Sequence, residues 1–244
     1  MHMKKFQSYF TALFFTAASI LLPSCDNDES YSIGDIAVDW VTVHVEADGL
    51  YTFTGDTWGT MFPAATSLWG YRPTEGERAY LIFNPLYDNY GGYDVGIKPE
   101  RIYPILTKNV EDLTKENDKE FADHPVHLRT AQISGGYMTI IFDQKIPQTK
   151  KHWVNLVKNP EEEVNADGYI HLEYRYNTYG DTLNVYQTGI VAFNLQTLPI
   201  KEAKGIKLKI NDAKKGKTEL IFEKTNTAAT PTENDLNELS EELK

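Results

Sequence analysis

One cysteine, Cys25, stands in 244 residues. No disulfide can form within such a chain, so its fold has to rest on apolar packing. Positive charge is also scarce: 24 Lys and Arg face 35 Asp and Glu, for a formal net charge of −11. Nucleic-acid affinity rests on Lys and Arg neutralising phosphates, and this balance sets that function aside. No second long apolar run follows Phe10–Leu22, so no transmembrane domain is expected, because a spanning helix needs about 20 apolar residues. HExxH, GxSxG, CxxC and the phosphate-loop motif are missing as well. Each places a nucleophile, a metal ligand or a phosphate cradle at fixed spacing. No cofactor and no metal is therefore expected, and no enzyme activity.

What is present begins with an address. Lys4 and Lys5 precede the uncharged stretch FTALFFTAASILL, Phe10 to Leu22. Its length suits a secretory h-region of roughly 7–15 residues and falls short of a membrane span. The junction Leu22-Pro23-Ser24-Cys25 resembles the lipobox of bacterial lipoproteins, with Pro23 as a departure from the usual pattern. That resemblance implies cleavage after Ser24 and a membrane anchor of acyl chains, palmitate among them, on Cys25. Two or more acyl chains give stable anchoring, where one binds only marginally. Asp26, Asn27, Asp28 and Glu29 follow. They resemble the export signal that sends lipoproteins of Bacteroidetes to the outer face of the outer membrane, and they also suit a solvated tether. Removing residues 1–24, which hold two lysines and no acid, takes the formal charge from −11 to −13.

Beyond Tyr31 the pattern is that of an all-β protein. Ile36–Val45 is rich in β-branched and aromatic residues, and Asp48-Gly49 separates it from Leu50–Phe53. An Asp-Gly pair between apolar runs predicts a hairpin, because both central residues of its turn need positive φ. Met61-Phe62, Ser67–Arg72, Arg78–Phe83, Tyr93–Ile97 and Arg101–Leu106 supply further strand material, enough for a small barrel over residues 36–107. Inside the folded region Val110–Asn117 is the one stretch with helical character, placed in a linker at 108–123.

The second half restarts the pattern over residues 124–224. Strands are expected at His124–Ala131, Tyr137–Phe142, His152–Lys158, Tyr169–Tyr176, Gly189–Leu195, Gly205–Ile210 and Leu220–Phe222, the spacing of a β-sandwich. Parity assigns faces: Ile170, Leu172, Tyr174 and Tyr176 point one way, while His171, Glu173 and Arg175 point the other. Ile206, Leu208 and Ile210 point inward. Residues 25–35 read as a lipidated acidic tether and 225–244 as an acidic polar tail.

The mature chain resembles the NigD-like lipoproteins of Bacteroidetes. The resemblance is carried by CDND at Cys25, YSIGD at Tyr31–Asp35, FPAATS at Phe62–Ser67 and ILTKNVEDLTKEND at Ile105–Asp118. KKHWVNLV at Lys150–Val157, HLEYRYNTYGDT at His171–Thr182 and GIVAFNLQTL at Gly189–Leu198 complete it. It implies an N-terminal OB-like barrel followed by a C-terminal β-sandwich. It implies no catalytic activity, and it carries a proposed role in bacteriocin immunity.

Candidate chemistry is sparse. His124 and His127 are three apart in an extended strand, so they face opposite ways and do not chelate together. His152 beside Trp153 reads as a strand residue. Asp88-Asn89-Tyr90-Gly91-Gly92-Tyr93-Asp94 is the distinctive loop. Asp88, Asn89, Tyr90, Tyr93 and Asp94 offer ring faces for stacking and fixed polar groups for hydroxyls, the means by which sugars are held. The plainer reading is a long hairpin loop built of turn-forming residues. The favoured function is a non-enzymatic, surface-exposed outer-membrane lipoprotein binding a glycan, peptide or envelope partner. The alternatives are a periplasm-facing assembly or self-protection protein and, last, a polysaccharide hydrolase.

Overall fold

Five strands at the start of the described chain close into a barrel, and nine more build the sheets that follow. A computed structural model describes residues 31–224 apart from 33, 48, 162 and 163. The lipobox, Cys25, the acidic residues Asp26 to Glu29 and the tail 225–244 lie outside the described residues.

The barrel consists of β1 (Ala37–Val45), β2 (Tyr51–Gly55), β3 (Gly59–Pro63), β4 (Arg78–Asp88) and β5 (Val95–Pro104) in the closed order β1-β2-β3-β5-β4. Alternation along each strand sends one side chain in two inward. Val41, Val43, Phe53, Met61, Ala79, Leu81, Phe83, Val95 and Ile97 form its core. The opposite parity puts Trp40 and Tyr80 on the outer face, directly across from one another in the β1–β4 register. Asn84 Nδ2 donates to the carbonyls of Ser32 and Asp35, so the end of the expected tether is tied to β4.

Two expectations for this half are corrected. Ser67–Arg72 is a loop, because Gly70 at φ +75° turns the chain and Ser67 N donates outward to Pro99 O. Tyr93–Ile97 and Arg101–Leu106 were expected as separate strands. Val95–Pro104 is instead one strand, continuous along β4 with irregularities near Ile82 and Pro85.

The sandwich has a five-stranded sheet of order β14-β13-β11-β10-β7 and a four-stranded sheet of order β6-β12-β9-β8. Its strands are β6 (Leu106–Asn109), β7 (Glu111–Asp112), β8 (His127–Ser134), β9 (Tyr137–Pro147), β10 (Trp153–Lys158), β11 (Tyr169–Asn177), β12 (Thr182–Asn194), β13 (Gly205–Asp212) and β14 (Gly216–Glu223). Ile170, Leu172, Tyr174 and Tyr176 of β11 lie in one core with Met138, Phe142, Phe193 and Leu208, as parity predicts.

The expected helix at Val110–Asn117 is not formed. Glu111 and Asp112 pair in parallel with Val157 and Lys158, and Lys158 bridges Asp112 at 2.8 Å. The helical turn, α1, comes later at Asp118–Phe121, where Phe121 is buried against Trp153. Sheet pairing outcompeted a short isolated helix, which is marginal in water. The chain therefore enters the sandwich at Leu106, where β6 pairs in parallel with Val191–Asn194 of β12.

Barrel and sandwich share one seam. Trp40 and Ile105 pack with Tyr137 and Ala192, joined by Tyr80 and Ile190. Tyr137 Oη donates to Gly76 O at 3.0 Å, and the Arg78 guanidinium lies 5.0 Å from the Tyr137 ring centroid.

Candidate functional site

The β4–β5 hairpin carries the loop singled out in the sequence. Asn89 sits at φ +51°, with Gly91 and Gly92 at +61° and +93°, so three residues in four adopt the left-handed conformation that a tight reversal demands. Asn89 N donates to Asp94 O at 2.8 Å and Tyr93 N to Tyr90 O at 3.0 Å. The loop is thus closed on itself by its own backbone.

Its five candidate residues take different places. Tyr90 and Tyr93 converge: the Phe62 ring lies 5.8 Å from Tyr90 and 5.3 Å from Tyr93. Tyr87 stacks on Tyr90 at 5.3 Å with 21° between planes. Tyr87 is 54% exposed and Tyr90 37%, so the stack forms an apolar patch open to solvent. Asp88 and Asn89 stand exposed beside it. Asp94 is employed within the fold, with Oδ2 accepting from Thr60 N and Thr60 Oγ1, both at 2.7 Å. Those hydrogen bonds favour the charged form and hold the Asp94 carboxyl below its ordinary value. It fastens the loop to β3. Gly96 makes room for the patch, since a Cβ there would meet Tyr90 Cγ at 2.7 Å.

The histidines are engaged separately. Thr178 N donates to His124 Nδ1 at 3.0 Å, while the His127 ring lies 5.4 Å from Tyr186. His152 Nε2 donates to Asp181 O at 2.7 Å, and its Nδ1 is 2.5 Å from Tyr176 Oη. Among the described residues no three His, Cys, Asp or Glu side chains gather as metal ligands would.

A second site is assembled by register across several strands. A groove of about 560 Å³ opens beside the seam, walled by Trp40, Tyr80 and Tyr103 of the barrel and by Tyr186, Thr188 and Ile190 of β12. Trp40 is directly opposite Tyr80, and Tyr80 directly opposite Tyr103, so three aromatic rings form a row across β1, β4 and β5. Trp40 meets Tyr80 edge-on at 5.3 Å, and Tyr80 stacks on Tyr103 at 6.5 Å. Burial, then Tyr103 and Asp39, raise the Tyr80 phenol above its ordinary value and keep it neutral. The remaining lining is Pro104, Ile105, Leu106, Ile146 and Gln187, with no carboxylate, imidazole or amine. It holds no general acid or base of ordinary strength at neutral pH.

A further cavity of about 420 Å³, on the five-stranded sheet, is lined by charges that pair with each other. Lys217 bridges Asp123 at 2.9 Å, and Lys209 reaches Glu173 at 4.0 Å.

Comparison with known proteins agrees with this architecture. The family model described as the NigD-like C-terminal beta sandwich domain matches residues 109–224. A protein of unknown function from Bacteroides vulgatus superposes with a TM-score of 0.72 at 23% identity, covering 84% of this chain and 99% of that one. A NigD-like immunity protein from Bacteroides caccae gives 0.57 at 15% identity, covering 80% and 100%. A candidate lipoprotein from Bacteroides fragilis gives 0.54 at 12% identity, covering 79% and 100%. At these identities the likeness is one of fold. No curated protein matches the chain in sequence. None of these relatives indicates an enzyme family.

Proposed function

We propose, for a chain whose residues 109–224 form a NigD-like C-terminal β-sandwich domain, a non-enzymatic role as a lipid-anchored outer-membrane protein. It captures a glycan at the cell surface. Cys25 carries the anchor, and Asp26, Asn27, Asp28 and Glu29 direct the protein outward. A B. fragilis protein of similar fold is described as a candidate lipoprotein, which is what supports an anchor here.

The observation that carries the binding reading is the exposed Tyr87–Tyr90 stack, backed by Phe62 and Tyr93 on a loop fastened by Asp94. Sugar rings present apolar C–H faces, and an aromatic surface held rigidly in place meets them without the entropy cost of ordering a mobile loop. Asp88 and Asn89 beside the stack supply acceptors and a donor for hydroxyls.

The test is affinity for a panel of bacterial, dietary and host polysaccharides, read for the chain from residue 26 and for its Tyr90→Ala and Tyr93→Ala variants. Binding that falls in both variants supports the assignment. Any glycan bound equally by all three forms removes the loop from the site.

A second reading draws on the immunity protein from B. caccae, whose fold this chain shares. Under it the protein faces the periplasm and its partner is another protein. Protease access on intact cells separates the two.

A further inference from the structure

The four-stranded sheet leaves an edge unfinished beside the aromatic groove. Strand β12 runs from Thr182 to Asn194, but β6 covers only Val191–Asn194. Among the described residues, no strand pairs with Thr182–Ile190 on the β6 side. Backbone donors and acceptors along such an edge are a template for another strand. Natural edges are blunted by charges, by Pro or by bulges. The stretch TLNVYQTGI has no charge and no Pro. A bulge does interrupt its pairing with β9 between Thr182 and Tyr186. From Tyr186 to Ile190 the ladder with β9 is regular, which leaves about 17 Å of straight edge.

The side chains around this edge are apolar where solvent would favour polar ones. Leu106 is 56% exposed, Val185 55% and Tyr186 52%. Tyr186, Thr188 and Ile190 share one strand face and line the groove, opposite the Trp40–Tyr80–Tyr103 row. A strand laid on the edge in line with β6 would send every second side chain toward those rings.

We propose that this edge and groove dock an extended segment of a partner protein, added as a fifth strand to the four-stranded sheet. The segment is uncharged and carries apolar or aromatic residues at alternate positions, with its main chain paired to Tyr186–Ile190. The unpaired backbone selects a peptide over a sugar or a lipid, because only a peptide returns hydrogen bonds at strand spacing. The apolar lining selects its side chains. This site lies apart from the Tyr87–Tyr90 stack and does not depend on the glycan reading.

The test selects peptides from a random nonapeptide display library on the chain from residue 26. The selected peptides are then assayed by affinity and by amide hydrogen exchange. The proposal expects alternating apolar and polar residues, and slowed exchange at amides within Tyr186–Ile190. It expects affinity to fall about tenfold or more (about 1.4 kcal/mol) for Leu106→Lys and for Tyr186→Lys. Both positions are exposed, so both variants fold. N-methylation of every second peptide amide abolishes binding, while Tyr90→Ala leaves it unchanged. Selected peptides that bind without protecting Tyr186–Ile190, or that tolerate N-methylation, overturn it, as does failure to select any. The same amides protected by rising protein concentration alone would make a second copy the occupant. An oligosaccharide that shields Tyr103 and Tyr186 without amide protection would make it a sugar. Either result overturns the assignment.

Discussion

Arg78 and Asp56 form a two-pronged ion pair, Nη2 to Oδ2 at 2.6 Å and Nη1 to Oδ1 at 3.0 Å, where the barrel meets the sandwich. Their side chains are 1% and 8% exposed. Arg78 also donates to Thr42 Oγ1 at 3.1 Å, and its guanidinium faces the Tyr137 ring. A charge buried this deeply is tolerated only because it is paired and hydrogen-bonded on several sides. Arg78→Leu is expected to lower the free energy of unfolding by about 3–5 kcal/mol, since it strands the Asp56 carboxylate. The double variant Arg78→Met, Asp56→Leu recovers a large part of that loss. Urea unfolding midpoints check both. A single variant as stable as the parent would mean that water reaches the pair.

The sandwich closes over this pair through a glycine. Gly135 has φ +55°, and a Cβ there would overlap Asp56 Oδ1 and come within 2.8 Å of Arg78 Nη1. Gly135→Ala therefore combines left-handed strain with a clash against a buried ion pair. It destabilises more than Gly91→Ala, where positive φ is the only penalty and the space is open. Equal thermal shifts for the two would contradict the seam described above.

Asp39 gives a pH dependence with a defined sign. It is buried on β1, and its Oδ2 accepts from Thr57 N at 2.9 Å and Trp58 N at 3.0 Å. Burial is the largest influence and raises its carboxyl above the ordinary value; nearby Asp56 adds to the rise, and the two N–H bonds oppose it. The folded state thus holds this proton at a pH where the unfolded chain has released it. Its contribution to stability grows as pH falls through the folded value toward about 3.9, and is unfavourable at neutrality. Asp39→Asn keeps an acceptor for both N–H groups. The difference in stability between parent and variant should therefore shift in favour of the parent as pH drops from 7 toward 4. A difference independent of pH would mean that Asp39 is ordinary.

Gly96 offers a way to disturb the proposed glycan site without touching its chemistry. A methyl there would press on the Tyr90 ring base at 2.7 Å. Gly96→Ala should unstack Tyr90 from Tyr87 and lower glycan affinity while every candidate contact residue stays in place. Tyrosine fluorescence reports the unstacking and titration reports the affinity. Full affinity with a displaced Tyr90 would remove the stack from the site.

Much of the fold was legible because strands write their faces into sequence parity. Tyr174 and Tyr176 read as core from alternation with Ile170 and Leu172, and both are buried. Features set by pairing were not legible. Trp40, Tyr80 and Tyr103 form one row only through the β1–β4 and β4–β5 registers, and no local pattern states a register. Among the described residues, β12 has an open edge because β6 is short, which is a fact about its partner. Arg78 and Asp56 resemble surface charges until the sandwich covers them. At Glu111-Asp112 a helical pattern lost to long-range pairing with β10. The Asp88–Asp94 loop was the reverse case. Its composition drew notice, but only the geometry separates the stacking residues, Tyr87, Tyr90 and Tyr93, from Asp94, which anchors.

The measurement that bears most directly on the account is protease shaving of intact cells, read by loss of a C-terminal epitope, with a periplasmic protein as leakage control. The account predicts that the epitope disappears while the control survives, because it proposes Asp26, Asn27, Asp28 and Glu29 as the signal for export to the outer face. An epitope that survives on intact cells and is lost only after lysis would contradict it. The protein would then face the periplasm, and capture of external glycans would give way to a partner within the envelope.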